Sequence, residues 1–136
     1  AERKAVAFTR NKPAFQRALR NAVFELVKAL SRGDAATVLS LIEPADPEGF
    51  AWNRQRVESL LGAYFSEQER IRLDPEARAA KHTTISEDSP RRWIVEQTLV
   101  DPEELNDWSL KLVIDLDRCD AEGGVVMTWD GISAIA

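Results

Sequence analysis

The sequence predicts an α+β roll, in which N-terminal helices pack on a curved antiparallel β-sheet. Residues 13–65 carry apolar side chains at three-and-four spacing, in segments separated by turn residues. Residues 91–136 switch to strict alternation of apolar and polar positions, joined by turn chemistry. A run of helices followed by a run of strands is the pattern of an α+β fold, since the apolar stripe of one layer must be covered by the face of the other.

Each element has its own warrant. From Pro13, acceptable in a first helical turn, the positions Phe15, Leu19, Ala22, Val23, Leu26 and Leu30 form one stripe, and Gly33 ends it. Asp34 stands where a cap is needed for a short helix through Ala35, Ala36, Val38, Leu39 and Leu41. Glu43-Pro44-Ala45-Asp46-Pro47-Glu48-Gly49 is a connection that no helix can cross. Asn53 caps a third helix carrying Val57, Leu60, Leu61, Tyr64 and Phe65. Ile71 and Leu73 read as a short extended piece before Asp74-Pro75. Thr83, Thr84 and Ile85 begin a strand that the run Glu87-Asp88-Ser89-Pro90 turns back. In the next strand Trp93, Val95, Gln97 and Leu99 share one face, with Ile94, Glu96, Thr98 and Val100 on the other. Trp108, Leu110, Leu112, Ile114 and Leu116 then alternate with Ser109, Lys111, Val113, Asp115 and Asp117, and Glu122-Gly123-Gly124 turns into a last row of Val125, Met127 and Trp129.

Domain organisation follows from length and composition. At 136 residues the chain holds one core. Residues 1–10 are expected to be a linker or the end of a preceding domain, and 11–136 a single roll. Hydrophobic residues at 44 % against 30 % charged exclude a disordered chain. No run approaches the roughly 18 apolar residues needed to span a bilayer, and the opening AERKAVAFTR lacks the apolar core of a secretory signal. With Cys119 as its one cysteine the chain forms no internal disulfide, so a cytoplasmic location is expected.

Charge is unevenly spread. Residues 1–32 hold eight basic residues against two acidic ones, and the remaining residues ten against twenty-one, giving the net −5. Arg17, Arg20 and Lys28 lie off the apolar stripe of the first helix, which presents them to solvent or to a partner such as nucleic acid.

No set of residues spells out a reaction. Proton transfer needs a carboxylate or histidine in the space between helices and sheet, and Gln97 is the one polar side chain in the apolar rows, with Trp52 and Tyr64 able to approach from the helical side. These three mark a possible pocket, whose bland alternative is a buried glutamine bonded to backbone or to Tyr64. His82, among Lys81, Thr83 and Thr84, is expected on an exposed strand start. Asp115, Asp117 and Asp120 invite a metal, but they lack a calcium loop with its central glycine and terminal glutamate, so a solvated acidic edge is expected. Trp93, Trp108 and Trp129 fall in the apolar rows, where packing explains them better than base stacking. Arg78 either pairs with Asp74 or Glu76 or meets a partner. The charged outer row of Glu96, Lys111, Asp115 and Asp117 allows at most a polar dimer. No catalytic residue, metal ligand or cofactor is therefore assigned.

Two resemblances add to this. The segment ALSRGDAATVLSLI, residues 29–42, resembles the helix–glycine–aspartate–helix opening of the nuclear transport factor 2-like (cystatin-like) superfamily. That resemblance implies helices held in the concavity of a bent sheet, and a small-molecule-binding protein or enzyme using the helix–sheet pocket as the alternative function. NKPAFQRALRNAVFELVKALSRGD, Trp52, LLGAYFSE, IRLDPEARAAKHTTI and above all WIVEQTLVDPEELNDWSLKLVIDLDRCDAEGG resemble the uncharacterised C-terminal domain of bacterial DEAD/DEAH-box (superfamily 2) helicases, over about residues 8–135. This implies a noncatalytic accessory domain beside an ATP-driven motor in the same polypeptide. The chain contains no phosphate-binding glycine-lysine loop and no acidic magnesium box, so no ATPase activity carries over.

Overall fold

The computed structural model describes residues 7–134. Three helices, α1 (Lys12–Ser31), α2 (Ala35–Leu41) and α3 (Arg54–Phe65), precede a 3-10 turn at Ala80–His82. A four-stranded antiparallel sheet follows, with β1 (Thr83–Ser89), β2 (Arg92–Leu99), β3 (Trp108–Asp115) and β4 (Thr128–Ala134) in spatial order of sequence. A fourth helix, α4 (Leu116–Glu122), is inserted between β3 and β4. The sheet is curved and unclosed, and the fold is α+β as the sequence pattern requires.

The helix ends are set by side chains. Asn11 accepts the Ala14 N–H at 3.1 Å, Asp34 that of Thr37 at 3.1 Å, and Asn53 that of Arg56 at 2.8 Å. Phe24 and Val27 join the predicted stripe of α1, whereas Ala22 stays half-buried, so the buried face is wider than the spacing suggested.

Register puts the indoles on the inside. Trp93 pairs with Ile114, Val95 with Leu112, Gln97 with Leu110 and Leu99 with Trp108. Each inward tryptophan meets an aromatic ring from the helical side. Trp93 lies 5.3 Å from Phe15, Trp108 edge-on to Tyr64 at 5.6 Å, and Trp129 stacked on Trp52 at 4.3 Å. Between Leu110–Ile132 and Leu112–Trp129 the β4 strand holds one extra residue, a bulge at Asp130 and Gly131. Gly131 takes φ +89°, and a Cβ there would lie 3.3 Å from Leu60 Cδ1. The connection from α2 lies along the start of β4, with Glu43 N–H donating to Met127 O at 2.9 Å and Trp52 Nε1 to Trp129 O at 3.0 Å.

Several expectations are corrected. Leu116 and Asp117 do not prolong a strand. Asp115 accepts the N–H groups of Asp117 and Arg118, starting α4, whose Leu116 and Cys119 point inward and which Gly123 ends at φ +70°. Ile71 and Leu73 form no strand. Ile71 is buried, and its neighbours are tethered by Arg72 N–H to Val100 O at 2.8 Å, by the Arg72 guanidinium to Glu104 at 2.9 Å and by the Tyr64 hydroxyl to Arg70 O. β1 runs on through Ser89 with a register shift after Glu87, so the turn falls later than predicted. Val126 and Met127 are both buried, and alternation begins only at Trp129. Of the expected linker, residues 1–6 lie outside the described residues, while Phe8 packs edge-on against Phe15 and Thr9 N–H donates to Asp120 Oδ1 at 2.7 Å.

The β2–β3 connection is built on Asp101, only 1 % exposed, which accepts the N–H groups of Glu103, Leu105 and Asn106. These bonds hold Glu104 and Asn106 at φ +57° and +55°, a region costly for residues other than glycine. Burial pushes the Asp101 carboxyl up, but the backbone N–H bonds together outweigh it and hold it below the usual range.

Gly131→Ala is expected to destabilise the fold by more than about 1 kcal/mol, whereas Gly62→Ala, in open space on α3, should stabilise it by up to about 1 kcal/mol. Urea titration of both variants checks the contrast. Because the Asp101 pKa is depressed in the folded state, its contribution is complete above the ordinary carboxylate value near 4 and is lost as pH falls through the lower folded value. Asp101→Asn should lower Tm by several degrees at neutral pH, with the deficit shrinking below about pH 4. Calorimetry across pH measures this.

Candidate functional site

At about 100° per residue, Arg17, Arg20 and Lys28 occupy an arc of roughly 80° on α1, centred near Phe24. Phe24 is buried at the border of the core stripe, and its ring is covered by the Arg78 guanidinium at 4.5 Å. Facing α1 stands the β1–β2 pair, where Thr83 is opposite Gln97. Between the two layers lies a cleft of about 200 Å³ lined by Arg20, Asn21, Phe24, Arg78, Thr83 and Gln97.

The lining is cationic, and among the described residues its arginines have no acidic partner. No carboxylate borders the cleft, and neither Arg20 nor Arg78 forms an ion pair among the described residues. The acids beside Arg78 in sequence are already engaged. Arg72 takes Asp74 at 2.6 Å and Lys81 takes Glu76 at 2.7 Å, and these hydrogen bonds hold both carboxyls below their usual range. Lys28 differs from its two neighbours, since it is half-buried and pairs with Glu25 at 2.8 Å. At the inner end of the cleft Gln97, 3 % exposed, bonds through Oε1 to the Thr83 hydroxyl and through Nε2 to Thr98 O at 3.2 Å. One amide N–H of Gln97 is left over, so the cleft offers mostly donors and is suited to bind an acceptor-rich anion.

The other residues singled out by sequence lie elsewhere. Trp52 is sandwiched between Trp129 and the Arg56 guanidinium, the latter 3.8 Å from its ring. Tyr64 donates its hydroxyl to Arg70 O at 3.0 Å. Burial, and then the charge of Asp101, push its phenol up to about 12, which leaves it protonated at neutral pH. Neither lines the cleft with Gln97. His82 is not on an exposed strand start. Its side chain is 10 % exposed in the 3-10 turn, with Nε2 3.9 Å from Glu76 and no hydrogen-bond partner among the described residues. Burial raises the Cys119 thiol, which makes it a poor nucleophile. Asp115 and Asp117 are exposed, as a solvated acidic edge requires, and Asp120 is half-buried, but all three are engaged. Asp115 caps α4, Arg91 bridges Asp117 and Asp120, and Asp120 also receives Thr9. Sequence reasoning missed Phe24, Asn21 and Thr83. The spacing of four from Arg20 to Phe24 was the available signal, but the sheet edge across from it was not readable.

Two further cavities, of about 290 and 430 Å³, are lined by mixed charges around Glu43 and Arg118 and around Arg91, Arg92, Asp115 and Asp117. Among the described residues no helix is long and apolar enough to cross a membrane. No curated protein matches this chain in sequence. A family model described as a domain of unknown function does match, over residues 1–132, and the chain belongs to that family, DUF3516.

Proposed function

We propose that this is a noncatalytic accessory domain of an ATP-dependent DEAD/DEAH-box helicase, which helps position the motor on nucleic acid through the basic face of α1. The observation that carries this reading is the pair Arg17 and Arg20, exposed on one side of α1 without carboxylate partners among the described residues, on a chain that is otherwise acidic. A local positive face on a negative body orients a polyanion, because like charge elsewhere discourages other modes of docking. The resemblance of residues 93–124 to helicase C-terminal domains supplies the motor as partner in the same polypeptide, and a cytoplasmic setting goes with it.

A second reading, a small-molecule-binding protein or enzyme of the nuclear transport factor 2-like superfamily, is favoured by one observation, the buried Gln97 at the cleft. Against it, Trp93, Trp108, Trp129 and Met127 fill the concave side of the sheet. What room remains is at the rim.

Fluorescence anisotropy with labelled oligonucleotides at several salt concentrations tests the first reading. Replacing Arg17 and Arg20 together by glutamine should weaken binding and reduce the log–log salt slope by roughly 1.5, two contacts at about 0.7–0.9 each. Lys28→Gln should do less, since Lys28 is already paired with Glu25. An unchanged slope in the double variant removes nucleic acid from the proposal. In a polypeptide carrying the motor, deleting the domain should lower nucleic-acid affinity while sparing ATP hydrolysis measured without nucleic acid, and undiminished affinity would overturn the positioning role.

A further inference from the structure

We infer that the cleft between α1 and the β1–β2 pair is a phosphomonoester site, in which Arg20 and Arg78 together hold the phosphoryl group. The inference rests on the reading of α1 as a phosphate-facing surface and narrows it to one ligand chemistry. Two guanidinium groups without carboxylate partners among the described residues match a dianion, and a guanidinium fork matches the geometry of phosphoryl oxygens. Asn21 and the spare N–H of Gln97 add neutral donors, and no lining group repels an anion. Arg78 is held in place over Phe24, so little side-chain freedom is lost on binding.

Size selects the terminal group over the chain interior. A cleft of about 200 Å³ has the room of about seven waters. It is smaller than the pockets of about 300 Å³ and upward that enclose drug-sized ligands. A phosphoryl group with part of its sugar fits. A strand passing through would need both an entrance and an exit, whereas one side of this cleft ends on the buried Gln97. The same chemistry is carried by the terminal phosphate of a nucleic-acid strand and by a free nucleotide or sugar phosphate.

The full chain is titrated with inorganic phosphate, with adenosine 5′-monophosphate, and with one short oligonucleotide carrying a 5′-phosphate, a 3′-phosphate or hydroxyls at both ends. Binding is read by calorimetry and by the NMR shift of the Gln97 side-chain amide. A phosphorylated end should bind about tenfold tighter than the hydroxyl version, and the preference should fade below about pH 6, where the phosphomonoester takes up a proton. Arg78→Gln, at an exposed position, and Asn21→Asp, which sets a carboxylate into the cleft, should each abolish the preference. Arg17→Gln should lower affinity for all three oligonucleotides and keep the preference. Equal affinity for all three, with no shift at Gln97 on adding phosphate or the monophosphate, overturns the site while leaving the role of α1 standing. A shift at Gln97 with the monophosphate but no oligonucleotide binding supports the site for free phosphomonoesters and overturns the nucleic-acid reading instead.

Discussion

Each inward indole of the sheet is met by a ring from the helical layer, and this three-fold matching fixes how the layers sit on one another. Phe15 on α1 sets the height of that helix over Trp93, Tyr64 sets α3 over Trp108, and Trp52 ties the α2–α3 connection to Trp129. Such rings bury more surface than aliphatic side chains and interlock with fewer rotamers. The contacts are also long-range in sequence, so the helical half and the sheet half hold together as one packed unit. The Trp52 contact continues outward through Arg56 to Asp46, whose carboxylate also organises the N–H groups of Glu48 and Phe50. A surface loop thereby inherits the rigidity of the core.

The charge distribution is a consequence of how the acids are used. Asp34, Asp101 and Asp115 serve backbone N–H groups, and Asp46, Asp74, Glu76, Asp117 and Asp120 are held by basic side chains. Hydrogen bonds, led by Thr37 for Asp34, Arg56 for Asp46 and the Thr9 N–H for Asp120, hold those three carboxyls below their usual range. Among the described residues, the charges left without an ion-pair partner on α1 include Arg17 and Arg20, both positive. A net charge of −5 therefore describes the solution behaviour of the chain and not the field at the cleft.

The helix caps and the inward rows of β2 and β3 could be read from residues, because each depends on local spacing. Asn53 and Asp34 precede periodic segments, and the Trp108–Ile114 alternation admits one register. α4 escaped because Asp115 continues the strand pattern by one more polar residue and simultaneously caps a helix, and seven residues are too few for periodicity to overrule it. The bulge at Gly131 is equally silent, since a glycine in a strand does not say which neighbour fills its missing side chain. For the site, the basic face of α1 was visible on one helix, whereas the cleft joins α1 to residues more than fifty positions away. His82 looked exposed among polar neighbours, and only tertiary packing buries it.

The two borders of the sheet are finished differently. β4 gives Trp129 O, and Met127 just before it gives its own carbonyl, to the connection that follows α2, so further pairing along that border meets chain already in place. β1 has no such cover, but it carries Glu87 and Asp88 and ends at Pro90. Chain-to-chain stacking of sheets needs two receptive borders to propagate, and here the start of one is occupied while the other carries charge. Both devices work against fibrillar self-association of a strongly β-forming, tryptophan-rich segment that is not a closed barrel.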